Sequence, residues 1–219
     1  CGIVAEPDAF SAKTEEYPLE RRLYLYNRAD LSNEQASDFL SYALSEDADG
    51  VIAKAGFIDL GVKRKSQNMD GQRARLLLGA DVDVYEAGVM REMLGQMVEY
   101  DRLSTTFRFR TGSSKLDERG VIDMQRLVDY LADVPEGTKV LMVGFTDDVG
   151  AFDSNRDLSK SRAEEVVEML RELAGEQLDT VQISSAGYGE IAPSACNTTE
   201  KGRSINRRVE VWIEAAVQG

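Results

Sequence analysis

The stretch KVLMVGFTDDVGAFDSNRDLSKSRAEE (139–165) decides the fold of the carboxyl-terminal half of this 219-residue chain. It opens with an apolar run over 139–144, which is typical of an inner strand of a sheet. A loop rich in Asp follows, and apolar residues then recur at helical spacing until Gly175. A buried strand, a polar turn and a helix in this order predict a sheet that is covered by helices.

The surrounding chain supplies the other elements of this sheet. Alternation of apolar and polar residues predicts strands at TTFRFR (105–110) and RVEVWIEA (208–215), and a third strand is expected within 180–189. A helical apolar stripe predicts a helix over 117–133. The order β-α-β-α-β-β, with an irregular stretch or short helix before the last strand, predicts an α/β (α+β) two-layer sandwich.

The first part of the chain predicts a smaller amino-terminal α/β segment. Alternating Leu and Tyr residues in YPLERRLYLYNR (17–28) indicate a strand, and FIDLGV (57–62) indicates a second short one. A capping box of Ser32 and Gln35 predicts the start of one helix, and a second helix is expected over 46–55.

Three parts of the chain follow from these patterns: residues 1–68, a connecting helical segment over 69–104, and a domain over 105–219. Within the connecting segment, 83–101 predict a helix with a Met-rich apolar stripe. That stripe either packs on its own chain or forms a homodimer seam.

Composition narrows the function classes. The chain carries 26 Lys and Arg residues against 39 Asp and Glu residues, with a net charge of −13 at pH 7. Binding of nucleic acid needs a basic face, so we expect no nucleic-acid partner. The sequence contains no apolar run of about 18 residues, and we therefore expect no membrane-spanning segment.

The chain also contains no His, which excludes Ser/His and Cys/His nucleophiles and leaves a two-carboxylate mechanism open. Its two cysteines, Cys1 and Cys196, admit several states. They can form a disulfide or remain unpaired thiols, or Cys1 can be a lipidated first residue.

The acidic loop of the opening stretch has three interpretations. The first is a calcium loop, because Asp153, Asn155, Asp157 and Glu164 fall at positions 1, 3, 5 and 12 of the EF-hand pattern. Leu158 replaces the Gly that this pattern requires at position 6, and nearby cationic side chains would oppose a divalent ion. We therefore expect no metal.

The second interpretation is a helix start that is capped by Ser159 or Asp157, with acidic residues at the positive end of the helix dipole. Under this interpretation Arg162 lies in the first turn, where a cation faces the positive end of the dipole; it is tolerable in water there and is a natural docking point for a carboxylate.

The third interpretation is a clamp for a small zwitterion. Asp147 follows the buried strand and Arg162 lies on the next helix, so a carboxylate and a guanidinium would flank a cavity at the strand end. Each charge-assisted hydrogen bond to a ligand with an ammonium and a carboxylate would contribute about 1.5–3 kcal/mol. A hydrolase that uses Asp147 and Asp148 as paired acids is a further alternative.

Ordered motifs in this region resemble a known family. The pattern TD-x2-G-x4-N-x2-LS-x2-RA is matched by Thr146, Asp147, Gly150, Asn155, Leu158, Ser159, Arg162 and Ala163. The resemblance continues through FRFRTGSSKLD (107–117), GYGE (187–190), Pro193, Asn197, GR (202–203) and NRRVEV (206–211). Over about 105–214, the chain resembles the carboxyl-terminal peptidoglycan-binding domain of outer membrane protein A and its relatives.

This resemblance implies non-covalent, non-enzymatic binding of the meso-diaminopimelate in the peptidoglycan stem peptide, without a cofactor. By position, Asp147 would take the ammonium of the ligand and Arg162 a carboxylate. The implied secondary contacts are Thr111, Gly112, Asp148, Asn155 and Arg207. Arg207 can also be read as a cation that only flanks a strand.

The chain departs from the family pattern at two positions. Phe145 stands where many members have His or Tyr, and Gly112 stands where some have Asn. Both departures concern the secondary contacts rather than the pair of Asp147 and Arg162.

Within residues 1–62, the stretches TEEYPLERRLYLY (14–26) and FLSYALSEDADGVIAKAGFI (39–58) resemble the carboxyl-terminal tail of a phosphate-type periplasmic substrate-binding protein. Together, the two resemblances imply a fusion that is anchored to the cell wall, in the periplasm or at the outer membrane. The alternative function is a phosphate receptor in solute uptake, with 105–219 as a scaffold.

Overall fold

The computed structural model describes residues 2–28, 30, 32–79, 83–109 and 118–216, with the side chains of 118 and 119 left out. The chain divides into two compact units. One comprises residues 5–61, and the other comprises residues 1–4 and 62–219. Within the described ranges, no helix has both the length and the apolar character that crossing a membrane requires.

The larger unit is built on one five-stranded mixed sheet. Its strands are β1 (Arg64–Lys65), β2 (Tyr100–Arg108), β3 (Lys139–Phe145), β4 (Gln182–Gly187) and β5 (Arg208–Glu214). They lie in the order β1-β2-β5-β3-β4, in which β3 and β4 are parallel and every other neighbouring pair is antiparallel. This sheet confirms the predicted α/β fold class.

Eight α-helices lie within the described residues. They are α1 (Ala9–Lys13), α2 (Glu34–Leu44), α3 (Asp49–Lys54), α4 (Gln72–Leu78), α5 (Val84–Glu99), α6 (Glu118–Ala132), α7 (Phe152–Ala174) and α8 (Glu200–Asn206). Helices α1 to α3 belong to the smaller unit, and α4 to α8 belong to the larger one.

Helices α6 and α7 cover one face of the sheet, as the helical stripes predict. Their apolar side chains pack with those of β2 to β5 in a core where Leu127, Val166 and Val211 are fully buried. Burying a side chain of this size contributes about 1.5–3 kcal/mol, so this core is the main source of stability of the layer.

Helices α4 and α5 cover the opposite face of the sheet. The Met-rich stripe of α5 is buried there against Trp212 and Phe145, with Met93 fully inaccessible and Met97 nearly so. The stripe therefore packs on its own chain, which is the first of its two alternatives. β2 begins at Tyr100, so part of the segment that the stripe assigned to a helix is strand.

The smaller unit differs from its sequence-based prediction. Residues 17–28 form no strand, and the alternating Leu and Tyr side chains of 23–26 are all exposed, with Tyr26 at 90%. Residues 57–62 form no strand either. A strand needs a hydrogen-bonded neighbour, and no strand in the described part of the chain pairs with either segment. The sequence pattern of the two segments was therefore not enough to predict a strand.

Two local features complete the smaller unit. Asn33, not Ser32, caps α2, because its side chain accepts a hydrogen bond from the amide of Ala36 at 3.0 Å. A buried ion pair joins Lys13 to Asp59 at 2.7 Å.

In the larger unit, Cys196 is disulfide-bonded, which excludes the unpaired state for this residue.

Candidate ligand-binding site

Helix α7 begins seven residues earlier than the predicted cap at Ser159. The chain turns at Gly150, whose φ of +114° suits glycine, and Ala151 is the extended residue before the first turn. Residues 153–164 are therefore helical, which excludes an EF-hand loop. Arg162 lies in the third turn of the helix, so the predicted conflict with the helix dipole does not arise.

Two glycines allow α7 to lie directly on the ends of the parallel strands. Gly144 and Gly187 are paired across β3 and β4, and a Cβ on either would overlap the helix backbone at Ser159 or Lys160. The buried Ser159 hydroxyl accepts a hydrogen bond from the amide of Gly189 at 3.0 Å. This close packing fixes α7 relative to the loops that follow both strands.

An ion-pair chain joins the loop after β3 to the region around α8. Arg207 donates to Asp147 Oδ2 at 2.6 Å and to Glu200 Oε1 at 2.7 Å. The side chains of Asp147 and Arg207 are 13% and 7% exposed, so this pair is shielded from water. Arg203 also binds Glu200 at 2.8 Å, and the two arginines together hold the pKa of this carboxyl below its usual value.

Arg162 is a second buried cation of this cluster, and no described side chain is hydrogen-bonded to its Nε or Nη1 atom. It is 5% exposed, and its Nε and Nη1 atoms have no hydrogen-bond partner among the described residues. Its guanidinium carbon lies 5.3 Å from the centre of the Phe109 ring. Burial, and then the charge of Arg207, lower the pKa of Arg162, while Asp147 partly opposes this shift. Arg162 is therefore an electrostatic neighbour of both members of the buried pair.

Asn155 connects the helix to two loops of the site. Its side-chain amide donates to Glu190 Oε2 at 2.6 Å and to the backbone carbonyl of Asp147 at 3.4 Å. Burial raises the pKa of Glu190, and so do the charges of Glu86 and Asp148, while the hydrogen bond from Asn155 lowers it. Asp148 itself is exposed.

The structure thus brings Asp147, Asn155, Arg162 and Arg207 into one region at the carboxyl ends of β3 and β4. The predicted contacts Thr111 and Gly112 lie outside the described residues. Within the described ranges, no group of three or more acidic, Cys or His side chains is placed to hold a metal ion.

Sequence reasoning did not assign a role to Glu190 or Glu200. Glu190 closes the quoted GYGE motif, so its position was visible, but its bond to Asn155 is a tertiary contact. Glu200 gave no signal beyond an acid in the first turn of α8. Chemically, the site offers a buried cation without an anionic hydrogen-bond partner in the described part of the chain, beside a carboxylate that already has a cationic partner. Such an arrangement favours an incoming anion.

Comparison with known proteins finds one family model that is similar to this region. Residues 108–207 match the model of the OmpA family. Outer membrane porin F of Pseudomonas aeruginosa is 35% identical over 119 residues, which cover 54% of this chain and 33% of the porin. The probable lipoprotein YiaD of Escherichia coli is 30% identical over 144 residues, which cover 62% of this chain and 64% of the lipoprotein.

A third relative is the peptidoglycan-binding protein ArfA of Mycobacterium tuberculosis. It is 38% identical over 92 residues, which cover 41% of this chain and 26% of ArfA. The chain thus spans about a third of the porin and less than two thirds of the lipoprotein. Residues 108–207, which carry the ion-pair chain and Arg162, are the part of the chain that is similar to the OmpA family.

Proposed function

We propose that this chain binds peptidoglycan without cleaving it, and that this binding anchors a cell-envelope protein to the wall. The observation that carries the proposal is Arg162, a buried guanidinium with two nitrogen atoms that lack a partner among the described residues. An unpaired buried charge is costly, and it is retained where a ligand supplies the missing anion. The name of the relative ArfA supports peptidoglycan as the source of that ligand.

The ligand that fits best is the meso-diaminopimelate of the stem peptide. Its free D-centre carries an ammonium and a carboxylate on one carbon. These two groups match the carboxylate of Asp147 and the guanidinium of Arg162. The carboxylate binds the guanidinium of Arg162, and the ammonium binds the carboxylate of Asp147. No bond is broken in either step, so the chain acts as a binding module and not as an enzyme.

Binding of the ammonium involves an exchange of partners. In the structure, Arg207 holds Asp147 at 2.6 Å and Glu200 at 2.7 Å. When the ligand ammonium approaches Asp147, Glu200 can retain Arg207, so that the guanidinium keeps a carboxylate partner throughout. This exchange lowers the net contribution of the ammonium, and the carboxylate at Arg162 becomes the stronger determinant of affinity.

The proposed location is the periplasm, in association with the cell wall or outer membrane. The names of the porin and of the probable lipoprotein support this location. The family match lies outside residues 1–68, so the phosphate-type resemblance, the fusion and the phosphate-receptor alternative remain predictions from the sequence pattern.

The proposal predicts that amidation of the ligand weakens binding. Purified diaminopimelate-containing sacculi should pull down the protein, and a synthetic stem peptide with a free D-centre carboxylate should compete. The same peptide with a carboxamide in place of this carboxylate should compete equally only at about tenfold higher concentration or more, because a neutral amide leaves Arg162 without its counter-charge. Equal competition by both peptides would contradict the assignment of the carboxylate to Arg162.

A further inference from the structure

Helix α5 lies on the face of the sheet opposite α6. It contacts α7, the helix that carries Arg162. Arg156 donates to the hydroxyl of Tyr85 at 3.0 Å and to Glu92 Oε2 at 2.9 Å. The Tyr85 ring also meets Phe152 edge to face, with ring centres 5.8 Å apart. Phe152 and Arg156 flank Asn155 within the first turns of α7, so α5 holds the backbone from which the Asn155 side chain projects.

Helix α4 contacts the sheet beneath the ion-pair chain. Arg73 binds the fully buried Glu210 with two hydrogen bonds of 2.7 and 2.9 Å. Arg208 binds the same carboxylate at 2.8 Å, and its guanidinium carbon lies 4.1 Å from the centre of the Phe145 ring. Arg73 lies over the same ring at 5.8 Å. One cluster thus joins α4 to β5 and to the end of β3.

These contacts reach residues that lie within two positions of three site residues. Phe145 is two residues before Asp147, Arg208 follows Arg207, and Arg156 follows Asn155. Neighbouring residues share a backbone, so a shift of the contacted residue moves the site residue beside it. Helices α4 and α5 also precede the part of the chain that matches the OmpA family.

We propose that helices α4 and α5 form a brace that holds the binding loops in ligand-ready geometry. Tyr85 and Glu92 are positioning residues that act through Arg156 on Asn155 and on the Asp147 loop. A site that is held in place before binding loses less conformational freedom when the ligand arrives, so the brace raises affinity. This inference rests on the proposed binding of diaminopimelate peptides and adds a second determinant outside the site.

The test is a double variant of the full chain, Tyr85→Phe with Glu92→Gln. Both side chains are about half exposed, so their replacement leaves the core intact. Affinity for a synthetic diaminopimelate stem peptide, measured by calorimetry, should fall roughly three- to tenfold. In the ligand-free variant, the amide resonances of Asp147 and Asn155 should shift.

Two controls separate positioning from general destabilisation. Glu99→Gln makes the same charge change at the other end of α5 and should leave both affinity and these resonances unchanged. In an Arg156→Gln background, the double variant should cause no further loss of affinity. The side chain through which Tyr85 and Glu92 act on the site is already removed in that background.

The outcomes distinguish this inference from the proposed function. If the wild-type chain does not bind the peptide, the proposed function is wrong and the brace has no site to hold. If the wild type binds and the double variant binds equally well, only the brace is overturned. An equal further loss in the Arg156→Gln background would also overturn it.

Discussion

Replacing Arg162 with Met is expected to abolish binding of diaminopimelate peptides while the protein becomes no less stable. The guanidinium is buried, and two of its nitrogens lack partners among the described residues, so its charge opposes folding in the ligand-free state. Met removes the charge and keeps an apolar stem to pack against Phe109. Affinity should fall by roughly a hundredfold or more, since the ligand carboxylate would enter a site without a counter-ion.

The measurement pairs calorimetric titration with thermal unfolding of the same samples. Lys160→Met is the matched control, because Lys160 is an exposed cation on the same helix. It should change neither affinity nor melting temperature appreciably. Loss of binding together with a large drop in the melting temperature of Arg162→Met would contradict this account, because Arg162 would then be a structural residue.

Replacing Glu210 with Gln is expected to destabilise the larger unit by about 3–5 kcal/mol, the usual cost of removing one partner of a buried ionic network. Glu210 is fully buried and accepts from Arg73, Arg208 and the Trp212 ring nitrogen, with Arg102 at 3.1 Å. A neutral amide would leave these guanidinium groups without their shared carboxylate. Denaturant unfolding, followed through the fluorescence of the single Trp, measures the change directly.

The contribution of Glu210 to the stability of the larger unit should also depend on pH. Burial alone would raise the pKa of Glu210, but Arg102, Arg73 and Arg208 outweigh burial and hold the pKa well below its usual value. A lowered pKa in the folded state gives stability that is present above about pH 4.3 and is lost as the pH falls through the folded value. The difference between wild type and Glu210→Gln should therefore be constant from about pH 5 to 8 and shrink in acid.

Glu214, a half-exposed carboxylate, provides the control on the same strand. It pairs with Lys139 at 3.2 Å, and both side chains are about half exposed. Glu214→Gln should cost less than about 1 kcal/mol, as is usual for surface ion pairs. Equal losses for the two variants would contradict the special role of the buried network.

The sequence could predict the strand, loop and helix around Asp147 because each carries a local signal. The apolar run over 139–144 marks an inner strand, and the stripe after Ser159 marks a helix. The predicted start of the helix was wrong because its actual N-cap residue, Ala151, has no side-chain oxygen, while Asp157 and Ser159 are residue types that favour the N-cap position. Here the turn at Gly150 determines the start, and local capping preferences do not reveal it.

Contacts between distant segments were the other source of missed features. The alternation over 17–28 predicted a strand, but pairing depends on a neighbouring strand and not on the pattern itself. The bonds from Arg207 to Glu200 and from Asn155 to Glu190 join loops that only the fold brings together. Motif matching could name Asp147 and Arg162, but it could not show that Asp147 already has a cationic partner.

The most direct test of the central claim is a nuclear magnetic resonance titration of the isotope-labelled chain with two stem peptides. One contains meso-diaminopimelate, and the other contains lysine, which keeps the ammonium and lacks the D-centre carboxylate. The account predicts saturable shifts of the amides of 146–150 and of Arg162 with the first peptide, and a much weaker response to the second. Equal responses to both peptides, or shifts confined to other regions of the chain, would contradict it.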